Sequence, residues 1–151
     1  MSISVEFQKR LKKLISELEY NTFREVAQRM GITYVIYSKA VNYGIIPKPI
    51  ILIRIADFFN TSIEYLLGRN DDDYFDKAEV KETFAVRLEK LRTAENLTYY
   101  ELSKGINLSK NYFSDWKKKN FLPSLENLIS IAEYFNVSID YLLGRTDEKN
   151  L

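Results

Sequence analysis

The sequence contains neither cysteine nor histidine. Disulfides, thiolate zinc sites, iron–sulfur clusters and imidazole bases are therefore excluded, and so is catalysis by a cysteine or by a Ser-His-Asp triad. Glycine and proline are also scarce, with five and three residues in a chain of 151. Because cysteine and histidine are both absent, most enzyme classes are excluded, and we expect no catalytic residue, no metal site and no cofactor.

The chain also lacks any apolar run close to the roughly 18 to 20 residues that a membrane span requires. It begins MSISVEFQKRLKK, without the apolar stretch of a signal peptide. What is present is a globular composition, with 46% hydrophobic residues and 22 basic against 21 acidic side chains. We expect a folded cytoplasmic protein that does not bind a membrane.

An internal repeat organises the chain. The segment IADFFNTSIEYLLGR at 55–69 returns as IAEYFNVSIDYLLGR at 131–145, 76 residues later. Upstream positions repeat as well, but 34–43 and 110–119 share little beyond a serine. The repeat predicts two domains, 1–69 and 82–151, with a common scaffold and different exposed faces.

Within each repeat the apolar residues recur at helical spacing, and no segment has the alternation typical of a strand. Both domains are therefore predicted to be all-α with five short helices each. The predicted helices of the first domain are 5–18, 23–30, 34–41, 50–59 and 63–67. Those of the second are 83–95, 99–105, 110–118, 125–135 and 139–143.

Residues that begin and end helices lie at the expected places. The pairs Thr22 with Glu25 and Thr98 with Glu101 have the spacing of capping boxes at the second helix of each domain. The N-cap candidates for later helices are Thr33, Ser62, Ser109 and Ser138. Gly68 and Gly144 are predicted to end the fifth helices in the left-handed conformation.

In each domain a capped helix, a short turn and a second short helix follow one another, with turns at 30–33 and 106–109. The second domain, from RLEKLRTAENLTYYELS through LPSLENL to IAEYFNVSIDYLLGR, resembles the phage-repressor-like family of DNA-binding domains, also called the xenobiotic-response-element family. The first domain matches at its ends, with Pro47-Lys-Pro49 where the second has Pro-Ser-Leu. The resemblance implies two tandem five-helix DNA-binding domains, each with a helix-turn-helix.

The third helix of the second domain is the predicted reading helix. Phe113 and Trp116, three residues apart, are expected to face the core together with Leu108. Asparagine pairs with adenine and lysine with guanine in the major groove, and a carboxylate accepts from cytosine N4. The predicted base-reading residues are Lys110, Asn111, Ser114 and Asp115. The alternative is an ordinary solvent-facing helix.

Residues around this helix are predicted to contact DNA phosphates. Between 100 and 120 there are five lysines against Glu101 and Asp115, so the basic charge is local. Phenols and ammonium groups both donate hydrogen bonds to phosphate oxygens. The predicted contacts are Tyr99, Tyr100, Ser109, Lys117, Lys118, Lys119 and Asn120.

The equivalent helix of the first domain starts with Tyr34 and Val35, which offer little beyond contact with a thymine methyl. Two hypotheses follow. Either this domain binds the DNA backbone, with Arg29 among the contacts, or its apolar surface packs against protein. The residues concerned are Arg24, Thr33, Tyr34, Val35, Ser38, Lys39 and Lys48.

The leading interpretation is a sequence-specific transcriptional regulator, specifically a repressor that occupies an operator on double-stranded DNA. A tandem chain would span two half-sites as a monomer, or four as a homodimer, and its unequal reading helices predict an imperfect palindrome. The alternative is a protein-binding module, such as an inhibitor or antitoxin-like partner. The acidic segment 70–81 is expected to be a solvated linker, or else to compete with DNA for a basic face. No sensor domain for a small ligand is expected.

Overall fold

The computed structural model describes residues 2–20, 22–119 and 121–150. The chain divides into two compact units, Met1–Phe75 (unit 1) and Asp76–Leu151 (unit 2). In the described residues all regular structure is helical, apart from one isolated antiparallel bridge between Ile3 and Ile45. The predicted all-α fold is confirmed. Over these same residues, no helix is both long and apolar enough to cross a membrane.

Each unit carries five helices in its described part. Those of unit 1 are α1 (Val5–Ser16), α2 (Phe23–Met30), α3 (Tyr34–Tyr43), α4 (Pro49–Phe59) and α5 (Ile63–Leu66). Those of unit 2 are α6 (Phe84–Ala94), α7 (Tyr99–Gly105), α8 (Asn111–Lys119), α9 (Leu125–Phe135) and α10 (Ile139–Leu142). The predicted bounds are confirmed for α2, α7 and α9, and the others differ by one or two residues at an end. The largest extension is in α3, which continues to Tyr43 because Gly44, at φ +68°, provides its left-handed end.

Most of the predicted caps are confirmed. Thr98 and Glu101 form a reciprocal capping box, and Gly68 and Gly144 have φ of +75° and +74°. The capping box predicted at Thr22 is wrong, because the Thr22 side chain accepts no capping hydrogen bond. Its intended partner Glu25 instead binds Arg29 one turn later at 3.1 Å. Side chains cap three other helices as predicted, at Thr33, Ser62 and Ser138.

Equivalent apolar residues of the repeat form the core of each unit. In unit 1 the fully buried side chains include Phe7, Leu11, Leu52, Ile55 and Leu66. In unit 2 they include Leu88, Leu102, Leu128, Ile131 and Leu142, each at most 4% exposed. Burial of each such side chain contributes about 1.5–3 kcal/mol, so the repeated apolar pattern specifies the same scaffold twice.

The segment 70–81 is divided between the units, with 70–75 in unit 1 and 76–81 in unit 2, and each part makes contacts within its own unit. Asp71 forms a 2.7 Å ion pair with Arg10 of α1. Further along, Ala78 is buried and its amide donates to the Arg145 carbonyl at 2.9 Å, while the Thr146 hydroxyl donates to the Asp76 carbonyl at 2.6 Å. The segment is therefore held at both ends, and the division into 1–69, 70–81 and 82–151 stays a prediction.

Candidate nucleic-acid interface

In unit 2 the helix-turn-helix consists of α7, a short turn and α8. The Leu108 amide donates to the Ser103 carbonyl at 3.0 Å, and Asn107 occupies the left-handed region at φ +56°. Ser109 Oγ accepts a hydrogen bond from the Asn111 amide at 3.3 Å, beside the first turn of α8. These bonds determine the direction in which α8 leaves the turn.

The inner face of α8 is held by aromatic contacts. Phe113 and Trp116 are both 4% exposed, as predicted, whereas Leu108 is only half-buried. The Trp116 ring centroid lies 5.5 Å from that of Phe84 in α6, and the Phe113 centroid lies 5.4 Å from that of Tyr99 in α7. Such aromatic pairs add about 0.5–1.5 kcal/mol each beyond their burial, so α8 is anchored from behind.

The outer face of α8 is polar and open to solvent. Lys110, Asn111, Ser114 and Asp115 are all exposed. In the described part of the chain, the side chains of Lys110 and Asn111 have no hydrogen-bond or ion-pair partner. Asp115 lies 3.7 Å from the Lys119 ammonium one turn later, which offsets its negative charge. The predicted base-reading residues are therefore brought together on one accessible face.

The end of α8 carries a run of exposed cations, Lys117, Lys118 and Lys119. The Lys119 ammonium also lies 5.7 Å from the ring centroid of Phe121. Cations at a helix C-terminus interact favourably with the helix dipole. The predicted contact Asn120 lies outside the described residues.

The two tyrosines at the start of α7 differ in their surroundings. Tyr99 is partly buried, with its hydroxyl donating to the Glu89 carboxylate and Arg92 4.3 Å from its ring centroid. Burial and the Glu89 bond raise the pKa of Tyr99, while hydrogen bonds from Arg92 and Tyr99 lower the pKa of Glu89. Tyr100 is 60% exposed, and the Lys104 ammonium lies 5.4 Å from its ring centroid.

A groove of about 440 Å³ connects the start of α7 with the outer face of α8. Several predicted site residues line it together: Tyr99, Tyr100, Lys110, Asn111, Ser114 and Lys117. The network of Glu89 and Arg92 behind Tyr99 was not predicted. The sequence feature that could have indicated this network is the spacing of Glu89 and Arg92, since residues three apart on one helix can form an ion pair.

In unit 1 the equivalent face is apolar. Thr33 caps α3 by accepting from the Ile36 amide at 3.2 Å, and Tyr34 and Val35 are 49% and 58% exposed. The Arg24 guanidinium lies 5.6 Å from the Tyr34 ring centroid. These contacts place a cation beside an apolar surface at the start of α3.

The remaining predicted residues of unit 1 are spread over its surface. Ser38 is half-buried and accepts from the Asn42 amide group at 3.1 Å, whereas Lys39 and Lys48 are exposed. Arg29 lies 4.1 Å from the Tyr20 ring centroid in addition to its ion pair with Glu25. Arg29 is thus engaged within unit 1, and the two lysines remain accessible.

The pattern of the helix-turn-helix family matches this chain twice, at residues 8–66 and 88–142. Each match begins in the first helix of a unit and ends in its fifth. The chain belongs to this helix-turn-helix family, as the resemblance of its second repeat to phage-repressor-like domains predicts.

Three relatives share this type of sequence. The uncharacterized HTH-type transcriptional regulator YobD of Bacillus subtilis (strain 168) is 34% identical over 65 residues, or 43% of this chain. The HTH-type transcriptional activator BcrR of Enterococcus faecalis is 37% identical over 61 residues, or 40% of the chain. The cryptic phage CTXphi transcriptional repressor RstR of Vibrio cholerae serotype O1 (strain ATCC 39315 / El Tor Inaba N16961) is 38% identical over 64 residues, or 41%. The matched stretches cover 58%, 30% and 57% of these relatives' own lengths. No solved structure matches the chain.

Proposed function

We propose that this chain is a sequence-specific transcriptional regulator that binds double-stranded DNA in the cytoplasm, reading base edges mainly with α8. The observation that carries the proposal is the two-sided character of α8. Its inner face is anchored by Phe113 and Trp116, while Lys110, Asn111 and Ser114 project from the outer face. A helix that enters the major groove needs this combination of a rigid support and donor-rich exposed side chains.

The chemistry of the outer face matches base readout. Lys110 can donate to guanine O6 and N7, Asn111 can pair with adenine N6 and N7, and Ser114 can contact either kind of base. A carboxylate near phosphates is normally unfavourable. Because Lys119 lies beside Asp115, the net charge of that pair is zero, and Asp115 remains able to accept from cytosine N4.

Phosphate contacts would come from the rim of this face. Lys117 and Lys118 follow the reading positions on α8, and Tyr100 opens the other side of the groove. Tyr99 differs, since its hydroxyl proton is already donated to Glu89. We therefore assign phosphate contact to Tyr100 and a supporting role behind α8 to Tyr99.

The relatives' names include both an activator and a repressor. We assign repression to this chain, because two DNA-binding units on one operator would exclude polymerase without any further activity. Unequal α3 and α8 faces imply an operator that is not a perfect inverted repeat. A footprint covering a perfect inverted repeat would contradict this arrangement.

A second candidate function is supported by the apolar start of α3 in unit 1. Tyr34 and Val35 are half-exposed, as is Tyr43 at 65%. A protein-binding module would use such a surface. If the surface binds protein, Tyr34→Ala/Val35→Ala will change the oligomeric state or partner binding and leave DNA affinity unchanged. If it lies on DNA, the same variant will lose DNA affinity and keep its oligomeric state.

Selection of the purified chain on a random double-stranded DNA library tests the main proposal. We expect an enriched motif, with log K falling linearly as log salt rises between about 50 and 200 mM, by roughly 0.9 per phosphate contacted. Lys118→Ala should lower that slope by about 1, whereas Lys149→Ala, a matched exposed lysine near the end of the chain, should leave it unchanged. Binding without an enriched motif would contradict sequence specificity, and no binding at low salt would favour the protein-binding module.

A further inference from the structure

A second cavity in unit 2 lies mainly behind the reading helix and shares Tyr99, Phe113 and Lys117 with the groove on its outer face. This cleft, of about 340 Å³, opens between the first two turns of α6 and the inner face of α8. Its walls are mainly apolar and aromatic: Ala85, Val86, Leu88, Tyr99, Phe113 and Trp116. Cavities of roughly 300 to 1,000 Å³ with apolar walls and a few polar groups are typical of small-molecule sites.

Two charged residues, Glu89 and Lys117, line the cleft, and the charge of Glu89 is already neutralised by its ion pair with Arg92. The Glu89 carboxylate already accepts hydrogen bonds from Arg92 and from the Tyr99 hydroxyl. Lys117 is exposed and has no ion-pair partner within 4.0 Å among the residues whose structure is described, although its charge helps to lower the pKa of Glu89. The available charge at the rim is therefore positive, and it faces aromatic walls.

We propose that the cleft binds a small aromatic anion, with its ring against Tyr99, Phe113 and Trp116 and its carboxylate paired with Lys117. An aromatic ring matches the walls because three aromatic side chains line the cleft, and aromatic pairs favour offset or edge-to-face contacts. The anionic group matches Lys117, whereas a cationic group would meet only a carboxylate that Arg92 and Tyr99 already satisfy.

Occupation of this cleft would act on α8. Phe113 and Trp116 both line the cleft and anchor the reading helix against Phe84 and Tyr99. Lys117 lines both this cleft and the groove on the outer face of α8, so an anion paired with Lys117 would withdraw that cation from a DNA phosphate. We expect the bound anion to weaken DNA binding. This coupling rests on the proposed function, whereas binding of the anion does not.

Three probes with the same ring and different charge test the binding: phenylacetate, phenylacetamide and phenethylamine. Calorimetry measures the affinity, and Trp116, the only tryptophan of the chain, reports on the cleft through its emission. We expect phenylacetate to bind saturably and to change the Trp116 emission, with the amide and the amine several-fold weaker. Equal affinity for the three probes, or no binding of phenylacetate, would overturn the proposal.

Two pairs of variants test the location. Val86→Phe should fill the cleft and abolish phenylacetate binding, whereas Val80→Phe places the same ring at an exposed valine outside it. Lys117→Gln should reduce the affinity for phenylacetate to that for phenylacetamide, and Lys118→Gln should not change it. Because Val86 and Lys117 are exposed, neither variant should prevent folding. If the Val86→Phe variant bound phenylacetate as tightly as the unmodified chain, the binding site would lie outside this cleft.

A DNA titration with and without saturating phenylacetate tests the coupling. We expect DNA affinity to fall by a factor of about five or more, and bound DNA to lower the affinity for phenylacetate by the same factor. Unchanged DNA affinity with phenylacetate bound would overturn the coupling alone. A chain that binds phenylacetate but no DNA would overturn the proposed function and leave the cleft supported.

Discussion

The Arg87 guanidinium lies 4.4 Å from the ring centroid of Tyr141 and donates a 2.9 Å hydrogen bond to the Tyr141 carbonyl. In unit 1, Arg10 and Tyr65 repeat this arrangement at 4.5 and 2.9 Å. Each arginine connects the first helix of its unit to the fifth. The same arginine–tyrosine contact therefore occurs inside each unit, whereas the exposed faces of α3 and α8 differ.

Arg87 should be essential for the stability of unit 2. It is 1% exposed and also donates to the Thr146 carbonyl at 2.8 Å. Arg87→Ala leaves the Thr146 carbonyl unpaired and removes the ion pairs with Glu82 and Asp147, so we expect the free energy of unfolding of unit 2 to fall by about 3 kcal/mol in urea titrations. Arg10→Ala should cost less, because Arg10 is 14% exposed and water can replace its bonds. An Arg87→Ala variant with an unchanged free energy of unfolding would contradict this account.

Two glycines with the same φ of +74° separate backbone strain from steric clash. A Cβ at Gly31 would meet nothing within 4 Å, whereas one at Gly144 would lie 1.9 Å from the Glu82 carbonyl oxygen. Gly31→Ala should therefore cost only the left-handed strain, about 1 kcal/mol. Gly144→Ala must also move the backbone, and we expect at least twice that loss in thermal or urea unfolding. Equal losses would show that Glu82 moves without cost.

Tyr37 in α3 provides a stabilising substitution. It is 1% exposed, and its hydroxyl has no hydrogen-bond partner within the described part of the chain. Burial raises the pKa of Tyr37 to about 12. Because an unpaired buried hydroxyl costs about 1–3 kcal/mol, Tyr37→Phe should raise the stability of unit 1 by roughly 1 kcal/mol. A loss of stability would mean that the hydroxyl has a partner in solution.

The stability of unit 2 should depend on pH through Glu89. Hydrogen bonds from Arg92 and Tyr99 hold the pKa of Glu89 below its ordinary value of 4.5. The stabilisation that ionised Glu89 contributes is therefore present above about pH 4.5, and it is lost as the pH falls through the lower pKa that Glu89 has in the folded state. Urea titrations from pH 7 to pH 3 should show a smaller decline for Glu89→Gln than for the unmodified chain. The stability of the Glu126→Gln variant, which is changed at an exposed position, should fall with pH as much as that of the unmodified chain.

The scaffold could be predicted because its signals are local or repeated. Helical spacing of apolar residues and the Thr98 to Glu101 capping box act within a few residues. The wrong prediction of a capping box at Thr22 is also local in origin. Glu25 can reach either Thr22 or Arg29, and it binds Arg29. Burial of Arg87 could not be predicted, because arginine is usually exposed and three of its four partners lie 54 to 60 residues away, with only Glu82 nearby.

The candidate site was predictable in part. Three-residue spacing placed Phe113 and Trp116 on the inner face of α8 and left Lys110 and Asn111 outside. The partner of the Tyr99 hydroxyl could not be predicted, because a phenol at the start of α7 has the reach for either a phosphate or the core. The cleft behind α8 depends on the volume that Ala85 and Val86 leave unfilled, which only the packed structure reveals.

The most direct test of the account compares two double variants in selection from a random DNA library. Lys110→Ala/Asn111→Ala removes the proposed base contacts, and Lys149→Ala/Asn150→Ala removes the same side chains from an exposed site outside α8. We predict that the first variant keeps salt-dependent binding but loses preference at adjacent positions, each worth about 1–3 kcal/mol, while the second keeps the full motif. An unchanged motif in the Lys110→Ala/Asn111→Ala variant would contradict the claim that α8 reads the DNA.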